Sequence, residues 1–321
     1  MKTIVHKVYG SPEKLTIEEV EKPEPKPNEV LVQVKATAVN DYDWSLVSGI
    51  PRIYRLMFGL FKPRSQRIGM ELSGTVAACG EQVTAFKVAD HVYGDTSDFG
   101  FGTFAEFISI DQRALVKKPV NISFEEAAGT PHAAMLAIQA LKDIAGLNKG
   151  QSILVNGAGG GVGSFALQYA KLYEAKVTAV DSKNKLEYMK KIGFDEVIPY
   201  EEVDFTKENN KYDIVLDCKT NRNAFRYLKP LKPGGIYVTV GGSLTKLLQI
   251  LIFGMFSKIF GGKQLRILAL KPNKGLKEIE GFLNEGQLKC LVDGPYPFQE
   301  TAKAITLFGN AKHKGKVIVS L

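Results

Sequence analysis

The spacing of apolar and polar positions changes character once along the chain, near residue 120. Before that point, short runs of period two predict strands. In 29–37, Val30, Val32 and Val34 fall on one face and Leu31, Gln33 and Lys35 on the other. The runs 72–77 and 102–110 also read as strands, set between Gly and Pro punctuation. The proline-rich run 21–28 reads as a connector, because proline donates no ladder hydrogen bond. The first hundred residues are therefore expected to be all-β. After the change, a capping-box pattern, Ser123-Phe-Glu-Glu126, predicts the start of one long alanine-rich helix. Strands at 153–156, 177–180, 213–217 and 236–240, with 196–200 extended, then alternate with helices at 164–173, 185–192 and 222–228. That rhythm implies a parallel sheet. Helices over 276–285 and 298–308 and a strand over 316–321 complete the expectation, with no internal repeat.

At 321 residues the chain has room for two domains of roughly 100–200 residues each. Its 45% hydrophobic and 24% charged residues exclude a disordered chain. Cys79, Cys218 and Cys290 form no C-x-x-C, which argues against a disulfide framework or zinc ribbon and predicts a reducing, cytoplasmic setting. The opening residues 1–6 carry no long apolar stretch and predict no secretory leader. The most apolar run, 247–260, includes Gln249, Gly254, Ser257 and Lys258 and falls short of the roughly 20 residues that span a bilayer.

The sharpest motif is Asn156-Gly-Ala-Gly-Gly-Gly-Val-Gly163, which follows a predicted strand and opens a predicted helix. Bare backbone at such a turn lets amide N–H groups approach a pyrophosphate at a helix N-terminus. Against G-x-G-x-x-G it reads Ala158, Gly160, Gly163, with Gly161 and Val162 between and alanine in the first glycine's place. A structural turn would use glycine too, but the strand before, the helix after and a second strand ending in Asp181 favour a dinucleotide. The end of that second strand leaves the cofactor open. An acid there takes the ribose 2′-OH of NAD, and a base nearby takes the 2′-phosphate of NADP. Asp181 is followed by Ser182 and Lys183, so the two signals conflict unless Asp181 turns away.

Taken with Ala38-Val-Asn40-Asp-Tyr-Asp43, Gly69-Met-Glu-Leu-Ser-Gly74, Gly102-Thr-Phe-Ala-Glu106, Lys232-Pro-Gly-Gly235 and Gly315-Lys316-Val, the chain resembles the zinc-free quinone oxidoreductase branch of the medium-chain dehydrogenase/reductase superfamily. The resemblance implies an α/β protein. A GroES-like β catalytic domain, built from both chain ends (1–120 and 265–321), would surround a Rossmann domain (121–264), with nicotinamide and substrate meeting between them. Zinc-dependent members carry Cys at the position of Asn40 and His at that of Met70, and neither Asn nor Met suits a catalytic zinc. The implied reaction is zinc-independent hydride transfer from NADPH, alternatively NADH, to a quinone or α,β-unsaturated carbonyl. The rival readings are an alcohol or aldehyde reductase and a non-catalytic nucleotide-sensing or surface-binding protein. Ser182, Lys183 and Tyr200 match the set that cradles a 2′-phosphate, and Asp181 departs from it. Val240 and Gly241 match the segment lying against the nicotinamide. Asn40 matches a position beside the nicotinamide and is expected to orient a substrate carbonyl. Asp43 is expected to hold that loop. Tyrosines of this loop in relatives correspond here to Ser45 and Pro51. Tyr54 and Tyr42 are nearby but not aligned with them, so Tyr54 stands as the phenol candidate, with solvent or the cofactor ribose as the alternative proton source. His6, His91, His132 and His313 fit no metal or triad spacing and are expected in the core or on the surface.

Lys plus Arg exceed Asp plus Glu by 8, and the excess is concentrated. The segment 45–69 holds Arg52, Arg55, Lys62, Arg64 and Arg67 with no acid. The segment 242–277 holds seven lysines and arginines with no acid. Both are rich in apolar residues, Leu56, Met57, Phe58, Leu60 and Phe61 in one and 250–260 in the other. Three readings compete: a substrate lid with solvated lysines, a homodimer interface, and contact with a membrane surface. No RNP-like or KH motif appears, so nucleic acid is not an expected partner.

Overall fold

The computed structural model describes all 321 residues apart from the side chain of Met57, so the expectation placed on Met57 lies outside the described residues. The chain divides into two compact units. One comprises Met1–His132, Pro272–Asn284 and Cys290–Leu321, the other Ala133–Lys271 and Glu285–Lys289.

The chain opens with an antiparallel pair, β1 (Lys2–Val5) and β2 (Thr16–Glu19). There follow β3 (Glu29–Ala38), helices α1 (Asp41–Ser48) and α2 (Tyr54–Phe58), then β4 (Glu71–Cys79), β5 (His91–Asp95), β6 (Phe107–Asp111) and β7 (Val116–Lys117). The helices α3 (Phe124–Ala128) and α4 (Pro131–Ile138) lead into the second unit. That unit holds β8 (Ser152–Asn156), α5 (Gly161–Lys171), β9 (Lys176–Asp181), α6 (Leu186–Ile192), β10 (Glu196–Pro199), β11 (Tyr212–Asp217), β12 (Leu231–Thr239), α7 (Leu244–Phe256) and β13 (Gln264–Ile267). The chain ends with α8 (Leu276–Asn284), β14 (Val292–Pro297), α9 (Thr301–Gly309) and β15 (Lys316–Ser320).

In the first unit the sheet runs β14-β15-β3-β4-β5-β7, with β6 also paired to β3. The last strand lies beside the third, Ile318 opposite Ala38, so both chain ends build this unit. The all-β expectation misses α1 and α2. The first opens within Asn40-Asp-Tyr-Asp43, where the Asp43 carboxylate in the first turn accepts the N–H of the N-cap Asn40 at 2.8 Å.

The second unit is a six-stranded parallel sheet in the order β10-β9-β8-β11-β12-β13. Counted within the unit this is 3-2-1-4-5-6, the doubly wound order, whose direction reverses between β8 and β11. Leu154, Val180, Val215, Tyr227 and Tyr237 are among the buried side chains that pack in its core. The two central strands read as continuous apolar runs because helices cover both faces of such a sheet.

Three expectations need correction. The boundaries at 120/121 and 264/265 move to 132/133 and 271/272. The first moves because Phe124 and Ala128 pack against Ala36, Ala38 and Ile318 of the first sheet. The second moves because β13 extends the parallel sheet beside β12. The long helix after Ser123 breaks at Gly129-Thr130-Pro131, since proline has no N–H to continue the ladder. The run 102–110 forms a strand only from Phe107, with Ala105 making an isolated bridge to Thr3.

Candidate functional site

The turn after β8 lies at the point where the sheet order reverses. Gly157 takes a left-handed φ of +86°, which a side chain would strain. Its N–H and that of Ala158 donate to the Val180 carbonyl at 2.9 and 3.2 Å, fixing the turn to the neighbouring strand. At Gly163 a Cβ would stand 2.2 Å from the Ala158 carbonyl oxygen, so only glycine lets α5 start this close to the turn. The first N–H donated inside α5 is that of Ser164, to Gly160. The amides of Gly161, Val162 and Gly163 therefore point out of the helix end with no intrahelical acceptor, as an anion site requires.

Asp181 turns inward. Its carboxylate accepts the Gly159 N–H and the Ser182 N–H, each at 2.8 Å, and Lys185 Nζ lies 3.6 Å away, both side chains buried. The acid that opposed a 2′-phosphate in the sequence is thus spent on holding the glycine turn. Ser182, Lys183 and Tyr200 come together at the ends of β9 and β10, where the Tyr200 N–H donates to the Asp181 carbonyl at 3.1 Å. Tyr200 is half exposed. Two residues the sequence reading overlooked join them. The Glu201 carboxylate takes the Lys183 backbone N–H at 3.1 and 3.2 Å, and Glu202 takes the Lys183 ammonium at 2.6 Å. Their signal was present as two acids directly after Tyr200.

Beyond β12, the Gly241 carbonyl accepts from the Thr220 and Thr239 hydroxyls at 2.5 and 2.6 Å, and the Val240 N–H donates to the Asp217 carbonyl. A Cβ at Gly241 would meet nothing within 4 Å, so open space lies beside this backbone. Asp217, also overlooked, is fully buried. It accepts from Asn156 Nδ2, the Lys219 and Thr220 N–H groups and the Tyr237 hydroxyl at 2.8–2.9 Å, tying the turns after β8 and β11 together.

In the first unit, Asn40 and Asp43 are both buried. Asn40 Nδ2 donates to Glu71 Oε2 at 2.8 Å and to the Ala38 carbonyl at 3.4 Å, while its Oδ1 accepts from Lys316. Every polar atom of the amide is committed, so the expected role of orienting a substrate carbonyl has no free donor here. Lys316 Nζ also sits 2.6 Å from Glu71 Oε2, with the two side chains 6% and 0% exposed. Glu71 Oε1 accepts the His132 N–H, and His132 Nδ1 bonds Asp95 at 2.8 Å. Asp43 accepts N–H bonds from Asn40 and Gly69, each at 2.8 Å, which is the loop-holding role expected of it. Tyr54 stands apart from this network, half-buried on α2 with its ring edge against Phe58. Burial chiefly, with Tyr42 and Asp41 adding to it, raises its pKa. Lys316 and Glu71 were hidden in plain view, each inside a motif quoted above.

Burial pushes the Asp43 carboxyl up to about 7, opposed by its two backbone donors and Lys316 and reinforced by Glu71. A raised carboxyl pKa means that between about 3.8 and 7 the folded chain keeps a proton the unfolded chain has lost. Stability from this group therefore falls as pH rises across that window, by an amount of order 4 kcal/mol at about 1.4 kcal/mol per unit. The unfolding midpoint of Asp43→Asn should decline less than that of the native chain between about pH 4.5 and about pH 7. Parallel declines would show that Asp43 does not titrate there.

Comparison with known proteins fits this geometry. An alcohol dehydrogenase GroES-like domain profile matches residues 26–120, and a zinc-binding dehydrogenase profile matches 192–319. The chain is 30% identical to 2-methylene-furan-3-one reductase of Solanum lycopersicum over 99% of its own length and 79% of the relative's. It is 33% identical to a chloroplast envelope quinone oxidoreductase homologue of Arabidopsis thaliana, over 92% of this chain and 91% of that one. The chain belongs to the medium-chain dehydrogenase/reductase superfamily. Its fold is shared with the quinone oxidoreductase of Coxiella burnetii, at a TM-score of 0.87 and 23% identity, covering 100% and 99% of the two chains. Within the superfamily it falls in the quinone oxidoreductase-like branch.

A zinc ion is implied by one matched profile, and the donor set at the two resembling positions does not fit it. Asn40 has both amide groups engaged, and Met70 offers a fully buried thioether. Zinc is held by deprotonated Cys, by His or by carboxylate. Glu71, the carboxylate next to Met70, is already paired with the Lys316 ammonium. A nicotinamide dinucleotide does fit: the orphan amides of α5, the tight Ala158–Gly163 approach and the open backbone at Gly241 are the features such a cofactor needs.

Proposed function

We propose that the protein is a zinc-independent, NADPH-dependent reductase of quinones and α,β-unsaturated carbonyls. The observation that carries the cofactor reading is the inward turn of Asp181, which takes its carboxylate away from the side chains of Ser182, Lys183 and Tyr200 at the ends of β9 and β10, where a 2′-phosphate would displace Glu201 and Glu202 from Lys183. The α5 amides would hold the pyrophosphate, Lys183 and Ser182 the 2′-phosphate, and Val240-Gly241 the nicotinamide face. Bound there, the cofactor supplies a hydride. An acceptor already polarised by conjugation takes a hydride without a Lewis acid, which agrees with a site whose residues do not suit zinc. Tyr54, a phenol whose pKa burial raises, is the side chain proposed to return the proton. The substrate class is supported by relatives named 2-methylene-furan-3-one reductase, NADPH-dependent alkenal/one oxidoreductase and quinone oxidoreductase. A reducing, cytoplasmic setting is part of the same reading, on the cysteine usage.

The test is oxidation of NADPH and of NADH against a panel of quinones, enones and aldehydes. Turnover of quinones or enones with NADPH is expected, and no oxidation of either cofactor would overturn the reading. Cofactor choice has a sharper readout. Lys183→Ala should lower kcat/KM for NADPH about tenfold and leave that for NADH within about twofold, since only NADPH carries the charge that lysine would meet. Glu201→Gln should act oppositely, because its carboxylate occupies the Lys183 N–H that a phosphate would use. Equal loss for both cofactors in Lys183→Ala would rule out a 2′-phosphate seat here.

A further inference from the structure

Helix α7 presents its apolar residues to solvent. On its inner side Ile250 is buried, and a Cβ at Gly254 would stand 2.8 Å from the Leu265 carbonyl, so the helix already lies close against β13. On the outer side, Leu244, Leu248, Leu251, Ile252 and Met255 are all exposed, Met255 at 68%. At 3.6 residues per turn these five fall within about 100° of arc. Phe256, Ile259 and Phe260 continue the exposure past the helix end, Ile259 at 79%. Phe225, on the turn packed against α7, is exposed as well. A soluble helix keeps its apolar stripe for the core and its charges for water. Here Ile250 and Gly254 take the core side, Phe253 is part-exposed beside them, and a second apolar face remains uncovered.

The charges within this segment have one sign. No acid lies between Gly242 and Lys277, while Lys246, Lys258, Lys263 and Arg266 are interleaved with the apolar residues. Lysine and arginine stems lie along apolar surface and carry their charged ends to its margin. The helix has 13 residues, and no helix among the described residues is long and apolar enough to cross a bilayer. We propose that α7 and the residues to Phe260 form a docking surface for an anionic lipid bilayer, with the helix lying in the plane of the headgroups. An acid-free face suits anionic lipid. It suits a second copy of this chain poorly, because a two-fold interface sets the same patch against itself and would bring lysines together with no counter-charge. The inference stands on this surface alone and does not depend on the substrate.

The experiment is co-sedimentation of the full chain with phosphatidylcholine vesicles, with and without phosphatidylglycerol, at low and high salt. Pelleting with the anionic vesicles is expected, reduced by salt and weak with phosphatidylcholine alone. The variant Leu251→Glu/Met255→Glu changes two exposed positions, and its pelleted fraction should fall about tenfold. Its circular dichroism and its NADPH oxidation with a water-soluble quinone should match the native chain. Equal recovery in the supernatant with and without anionic lipid would overturn the proposal, as would a variant that pellets like the native chain. Light scattering that shows a native dimer made monomeric by the variant, with no lipid binding in either, would assign the face to a homodimer interface instead.

Discussion

Lys316→Met is expected to lower the unfolding free energy by about 3–5 kcal/mol, the usual result of removing one partner from a buried ion pair. The Lys316 ammonium bonds Glu71 and the Asn40 amide oxygen, and all three side chains are buried. Methionine fills a similar volume, so the loss comes from the charge left on Glu71 rather than from a cavity. The Glu71 carboxylate would keep the His132 N–H and Asn40 Nδ2 as donors, which is too little to offset an unpaired buried charge. Adding Glu71→Gln should restore at least half of the lost stability, because the neutral amide still accepts from His132. Chemical denaturation of the two variants checks this. If Lys316→Met unfolded like the native chain, the pair would contribute nothing, and if the double variant were less stable than the single, the charge argument would fail.

That pair marks the limit of what the sequence shows. Strands β8 to β12 were legible because each is a compact apolar run with a turn signal beside it, information contained within a few residues. The glycine turn was legible for the same reason, as was the capping box at Ser123. Lys316 and Glu71 are distant in sequence, and only the insertion of β15 beside β3, with β4 on the other side of β3, sets the two together. A charged residue at the head of an apolar strand, as Lys316 is of β15 and Glu71 of β4, was the visible sign that something must neutralise it. The domain boundary failed in the same way. Residues 121–132 look like the start of the helical half, yet Phe124 and Ala128 find their apolar partners on the first sheet. The inward turn of Asp181 also rests on a partner no spacing rule reveals, the backbone N–H of Gly159.

The role of Asn40 shows how a position can agree with a family and differ in use. The resemblance set it beside the reacting groups. The structure spends its amide on Lys316 and Glu71, with Asp43 and Gly69 bonded beside it. In a lineage where a metal can sit near this position, the fixed cation here is an ammonium, and it belongs to the last strand of the chain. The proposed reduction of conjugated acceptors needs no polarising group from Asn40, since such acceptors require orientation more than carbonyl polarisation.

Gly163→Ala should raise the dissociation constant for NADPH about a hundredfold, the scale of effect expected when a binding geometry shifts by about 1 Å. The added Cβ would stand 2.2 Å from the Ala158 carbonyl oxygen and 2.5 Å from its Cα, both backbone atoms that no rotamer change can move. The turn is held from the other side, by the Val180 carbonyl at Gly157 and Ala158 and by Asp181 at Gly159. The strain must therefore be relieved by α5, whose N-terminal amides are the groups proposed to bind the pyrophosphate. Overpacking of this kind also costs about 1–3 kcal/mol of stability, so binding must be measured well below the unfolding temperature. Gly281→Ala is the control: it lies within α8, a Cβ there meets nothing within 4 Å, and both stability and affinity should hold. Calorimetric titration of NADPH into the two variants decides the matter. Native affinity in Gly163→Ala would mean that the α5 amides do not hold the cofactor, whatever the glycines beside them suggest.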